Sequence, residues 1–86
     1  MQVLITPSAK RQLESLPEQA RNRIDKRILS LGDNPRPHGS GALEGVTGLY
    51  RIRVGDYRII YKIQDTNMVV LVVRIGHRRE VYRPRS

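Results

Sequence analysis

The dipeptide Gly55-Asp56 constrains this chain more than any other feature. Two runs of period-two alternation, Leu49–Val54 and Tyr57–Ile63, flank it, and a two-residue link with glycine first is a hairpin turn. The turn sets a register in which Val54 faces Tyr57, Arg53 faces Arg58, Ile52 faces Ile59 and Tyr50 faces Tyr61. Alternation then sorts the side chains. Tyr50, Ile52, Val54, Tyr57, Ile59, Tyr61 and Ile63 share one face, which must be covered. Arg51, Arg53, Arg58, Ile60 and Lys62 share the other. Like charges directly opposed on paired strands destabilise by roughly 0.2–1 kcal/mol, yet Arg53 opposes Arg58 with Arg51 two residues away. No carboxylate on these strands shares their face, since Asp56 lies in the turn and Asp65 in the next loop. A surface tuned only for stability would place an acid there, so an anion from outside the chain is the natural missing partner.

The remaining elements supply the cover. Gln2–Thr6 reads as a short strand stopped by Pro7. Thr6 can cap a helix with Pro7 in its first turn, where the missing N–H is harmless. Ala9, Leu13 and Leu16 recur on one helical face, and Pro17 closes that helix and opens a second. There Ala20, Ile24, Ile28 and Leu31 form one apolar stripe, with Gly32 as the expected stop. Arg36–Gly48 is glycine- and proline-rich loop with a short strand around Ala42–Glu44. Met68–Val73 is an almost unbroken β-branched run, the mark of a strand covered on both faces. Gly76 is expected to break that strand, freeing His77, Arg78 and Tyr82 to be aimed at the cationic face. A brief terminal strand is expected around Glu80–Tyr82. The layout is β-α-α-β-β-β: an α+β fold with an N-terminal strand and a helical hairpin packed on a mainly antiparallel sheet of three to five strands.

Composition narrows the partner. The chain has 86 residues, enough for a single domain spanning 1–86. It lacks cysteine, which excludes a disulfide scaffold, a thiolate metal site and a cysteine nucleophile together. The formal net charge is +8, and it is uneven: residues 1–48 carry a net +2 and residues 49–86 a net +6. Thirteen of the 16 cations are arginine, whose planar fork matches phosphate oxygens in pairs. A basic, arginine-rich half points to a phosphate-bearing partner. No apolar run approaches the ~20 residues needed to span a bilayer and no export signal is visible, so a cytoplasmic protein with no membrane partner is expected.

Three segments together resemble the RelE family of bacterial toxins, within the RelE/ParE superfamily of type II toxin–antitoxin modules. They are Gly48-Leu49-Tyr50-Arg51-Ile52-Arg53, then Gly55-Asp56-Tyr57-Arg58-Ile59-Ile60-Tyr61, then Gly76-His77-Arg78-Arg79-Glu80-Val81-Tyr82. The resemblance implies an endoribonuclease, an mRNA interferase that enters the ribosomal decoding site, cuts the messenger there and so inhibits translation. By position, Arg51 and Arg53 stand where the best-known members carry lysines, Arg58 matches the arginine of the next strand, and Arg78 and Tyr82 match the arginine and tyrosine of the terminal segment. His77 takes the place of a basic residue, and related toxins use a histidine in this region.

RNA carries its own nucleophile, the 2′-hydroxyl beside the scissile phosphate. Cleavage then needs a base, stabilisation of the charged phosphorane and an acid for the leaving 5′-oxygen. It needs neither a metal nor another cofactor. Arg51, Arg53 and Arg58, joined by Lys62 and Arg79, are expected to hold the RNA backbone, and Arg78 to sit near the developing charge. Tyr82 is the expected base, because neighbouring guanidinium groups favour phenolate, with His77 as substitute or companion acid. The implied partners are the ribosome with its mRNA, a RelB-like antitoxin that neutralises the cationic face, and operator DNA reached through that antitoxin. Two other readings share the fold or the charge: a ParE-like gyrase poison, and a basic nucleic-acid-binding module without catalysis.

Overall fold

Thr6 and Pro7 decide where the first helix begins. In the computed structural model, which describes residues 1–43, 45 and 48–77, strand β1 (Gln2–Ile5) leads into helix α1 (Pro7–Glu14). The Thr6 hydroxyl accepts a hydrogen bond from the Ala9 N–H at 3.1 Å, satisfying one of the donors that a helix start leaves without an intrahelical partner. Pro17 caps helix α2 (Glu18–Asp33). Ala9 and Leu13 from α1 and Ile24, Ile28 and Leu31 from α2 are buried, one stripe per helix as the spacing predicts.

Gly32 departs from expectation. The sequence places a helix stop there, but α2 runs through it to Asp33. The reason is close approach. A β-carbon at Gly32 would come within 2.9 Å of the Met1 carbonyl oxygen and 3.0 Å of Val3 Cγ2, and the Met1 amino group donates to the Gly32 carbonyl at 2.7 Å. The glycine lets the end of α2 lie against the start of β1.

The sheet has five strands in the order β1-β5-β4-β3-β2, adding β2 (Gly41–Ala42), β3 (Leu49–Val54), β4 (Tyr57–Gln64) and β5 (Val69–His77). β1 pairs with β5 in parallel, and the other pairs are antiparallel. The register of β3 on β4 is the one the turn predicts, and Gly55 supplies the left-handed backbone there with φ +60°. Both helices cover one side of the sheet. Ile52, Ile59, Tyr61, Ile63, Val70, Val72 and Ile75 join the helical residues in one core, with Tyr50, Val54 and Tyr57 packed against it. Tyr61 is fully buried, stacks on Tyr50 with ring centroids 5.9 Å apart, and donates its hydroxyl to the Pro35 carbonyl at 2.8 Å.

Three expectations for the last strand need correction. It starts at Val69 rather than Met68, which sits in the preceding turn with φ 59°. It is not covered on both faces: Val70 and Val72 are buried while Val69, Leu71 and Val73 are partly exposed, because the helices lie on one side only. Nor does Gly76 break it. Gly76 pairs with Arg58, and His77 with Tyr57, so the ladder runs to the end of the strand. The irregularity lies earlier, where Ile60 pairs with Arg74 and Tyr61 with Val72, leaving Val73 as the extra residue of a β-bulge. The strand expected at Glu80–Tyr82 and the position of Glu44 lie outside the described residues. Among those described, no helix is long and apolar enough to cross a membrane.

Candidate nucleic-acid interface

The face of the sheet turned away from the helices carries the cations. Residues directly opposite on paired strands share a face, so the register lays out three rows. Arg53, Arg58 and Gly76 form one; Gly41, Arg51, Ile60 and Arg74 form the next; Leu49, Lys62, Leu71 and Leu4 form the third. Arg51, Arg53, Arg58 and Lys62 therefore lie together on that face, as alternation predicts.

These cations differ in exposure. Arg58 is only 5% exposed, and its Nη1 donates to the Tyr57 carbonyl at 3.4 Å. Arg53 beside it is exposed, as is Lys62, whereas Arg51 is half-buried. The Arg51 guanidinium lies over Gly41, with Nη1 3.5 Å from where a β-carbon would stand. A buried guanidinium next to exposed ones suits a site that orients one anionic group and gathers its neighbours. Among the described residues the single ion pair is Arg36–Asp65 at 3.0 Å, so Arg51, Arg53 and Lys62 have no carboxylate of the described fold beside them.

His77 does not join this group. Its ring meets the edge of Tyr57 at a centroid distance of 6.0 Å and an angle of 76°, on the helix side of the sheet. Strand continuity through Gly76 explains the difference: with no break, parity sends Gly76 outward beside Arg58 and His77 inward beside Tyr57. Arg78, Arg79 and Tyr82 lie outside the described residues.

One cation of the face is missed by strict alternation. Counting in twos from Val70 and Val72 puts Arg74 among the core positions, but the bulge at Val73 reverses parity and brings Arg74 opposite Ile60. The signal was present in the spacing. Inward apolar residues fall at 70, 72 and 75, and an arginine on the supposed inward side of an apolar strand marks an inserted residue.

Comparison with known proteins identifies the family and the fold. The family profile described as "ParE toxin of type II toxin-antitoxin system, parDE" matches residues 3–82. Toxin RelE of Mycobacterium tuberculosis is 34% identical over 82 residues, covering 94% of this chain and 84% of that protein. The chain belongs to the RelE/ParE family of type II toxins. The RelE-type sequences also include the mRNA interferase toxin RelE of Escherichia coli, 28% identical over 78 residues, covering 86% of this chain and 81% of that one. Among solved RelE structures, the archaeal RelE–RelB complex from Pyrococcus horikoshii matches with a TM-score of 0.79 at 30% identity, covering 90% of this chain and 93% of that one. The fold of two helices on a five-stranded mixed sheet is thus shared with an archaeal RelE.

Proposed function

We propose that this RelE-type toxin is an endoribonuclease that cuts mRNA in the ribosomal decoding site, without a metal, by attack of the RNA 2′-hydroxyl on the adjacent phosphate. The observation that carries this reading is the gathering of Arg51, Arg53, Arg58 and Lys62 on the face of the sheet turned away from the helices, with the one described ion pair elsewhere. The relative named an mRNA interferase supports mRNA as the target. In this reading the buried Arg58 grips the scissile phosphate, and Arg51, Arg53, Lys62 and Arg79 hold the flanking backbone. Arg78 stabilises the phosphorane, whose charge exceeds that of the ground state, so its contribution falls on the transition state. Tyr82 takes the proton from the 2′-hydroxyl. His77, packed on Tyr57, is left with support of the strand end rather than proton transfer. Ribosome dependence follows from sparse preorganisation: the decoding site supplies the bent messenger geometry that a flat cationic face lacks.

The same reading supplies a RelB-like antitoxin that neutralises the cationic face, in line with the RelE–RelB composition of the archaeal neighbour, and that carries the complex to operator DNA. Primer extension along a translated message tests the enzyme reading. Cuts within codons, present only on ribosomes, are expected from the intact toxin. Arg58→Ala is expected to lower cleavage by about 10²–10³, the usual loss for one transition-state charge donor. Because Arg58 is buried, Tyr82→Phe and a circular-dichroism check of both variants keep the result readable. Toxin-dependent DNA breaks with intact message would replace this reading with gyrase poisoning, and bound but whole RNA would leave only a binding module.

A further inference from the structure

The cationic face does not end at β4. Arg74 stands on β5 opposite Ile60, and Ile60 stands opposite Arg51, so two arginines bracket one isoleucine in a row that crosses the strands. Neighbouring strands lie about 4.8 Å apart, which separates the two arginine backbones by about 10 Å. Ile60 between them is 5% exposed, an apolar floor between the two cations. Arg51 leans away over Gly41, which widens the row toward the sheet edge. Arg74 is also the diagonal neighbour of Arg58, since Gly76 pairs with Arg58; such diagonal positions lie about 7–8 Å apart. It is half-buried, and among the described residues it has no carboxylate partner.

We propose that Arg74 is an RNA-contacting residue of this toxin. It holds the phosphate next to the one at Arg58, and the bulge at Val73 is the device that delivers it. Bulges commonly re-aim a side chain beside a functional site, and here the re-aimed group is a guanidinium that regular pairing would have sent into the core. The RNA backbone then crosses the strands along Arg51, Ile60 and Arg74, instead of following the β3–β4 hairpin. This inference rests on the endoribonuclease reading above and adds the direction of the strand and a third strand of the sheet to it.

The test measures binding of the purified toxin to a short 2′-O-methyl oligoribonucleotide, which keeps the phosphates and removes the nucleophile. Affinity is followed by fluorescence anisotropy across a salt series. Each phosphate contact on a single strand contributes about 0.7 to the slope of log affinity against log salt, so Arg74→Ala is expected to flatten the slope by about 0.7 and weaken binding about fivefold at 0.1 M salt. Arg74→Lys is expected to keep the slope. Lys26→Ala removes the same charge from the exposed side of α2 and is expected to change neither quantity. Equal weakening by Lys26→Ala, or an unchanged slope in Arg74→Ala with an unchanged melting temperature, overturns the assignment. Codon cleavage by the intact toxin separates the two levels. A toxin that cuts messages while Arg74→Ala binds and cuts equally well removes Arg74 alone, whereas a toxin that never cuts removes the reading beneath it.

Discussion

Arg36 and Arg53 bring the same guanidinium into opposite surroundings. Arg36 lies 5.4 Å above the Tyr50 ring, donates from Nε to the Tyr50 hydroxyl at 3.3 Å, and pairs through Nη2 with Asp65 at 3.0 Å. The Asp65 hydrogen bond, helped by Tyr50, holds the Arg36 proton even more firmly than usual. Arg53 stands exposed opposite Arg58, and among the described residues it has no carboxylate. This chain can reach across its length to give an arginine an acid where a loop must be fastened to the sheet. On the outward face it accepts a repulsive pair instead. Arg36 is thus partnered within the fold, whereas Arg53 is left exposed for the phosphates that the proposed function assigns to it.

Arg53→Glu breaks that contrast most severely. It gives Arg58 a carboxylate directly opposite and removes the like-charge pair, so stability is expected to rise by about 0.2–1 kcal/mol. Thermal melting should move up by a few degrees, about 4–8 °C per kcal/mol for a domain of this size. RNA binding should move the other way. Reversing one charge subtracts about 1.4 from the salt slope, or about 25-fold in affinity at 0.1 M salt. Melting and oligoribonucleotide titration on one sample read both. A variant that is less stable and still binds fully would show that the face is ordinary surface charge.

How far the sequence revealed this contrast depends on what sets each position. The β3–β4 hairpin was legible residue by residue, because a glycine-led two-residue turn leaves one register and alternation does the rest. The helical stripe and the Thr6 cap were legible for the same local reason. Arg74 and His77 were legible only in part: an arginine on the inward count signals a slip of parity, but its place is set by pairing with β4, a contact distant in sequence. An apolar run such as Val69–Val73 carries no polar marker to show where parity slips. Gly32 was misread because a glycine near a helix end has two uses, termination and close approach. Only the packing of Met1 and Val3 against it separates them.

Tyr61→Phe probes the fastened side. The hydroxyl reaches the Pro35 carbonyl at 2.8 Å, so its loss is expected to cost about 1 kcal/mol at neutral pH, with RNA cleavage unchanged because Tyr61 faces the helices. Burial pushes the Tyr61 phenol above its usual value. A raised value means that the folded chain keeps this proton after the unfolded chain has lost it. The contribution is therefore complete below the unfolded value of about 10 and declines as pH rises from there toward the folded value. Urea titrations at pH 7 and at steps above 10 should show the gap between wild type and Tyr61→Phe closing as pH rises. A gap that widens with alkali would mean that the phenolate is favoured in the fold.

Asp65→Asn tests the contrast at its weakest point. Both partners of the Arg36 pair are well exposed, with 47% and 63% of their side-chain surfaces accessible. Exposed pairs of this kind contribute little to stability and are screened by salt. Arg36 keeps its hydroxyl contact and its place over the Tyr50 ring, so the loop from Asn34 to Ser40 should stay docked. The variant is expected to lose little stability at low salt, and to match the wild type at high salt. It also raises the net charge by one, as a cation added on the outward face would. Because Asp65 lies in the β4–β5 turn and its partner Arg36 packs on the helix side, the slope of RNA affinity against salt should not change. If freeing Arg36 steepens that slope, RNA is reading the total charge of the domain, and the distinction between fastened and waiting arginines fails.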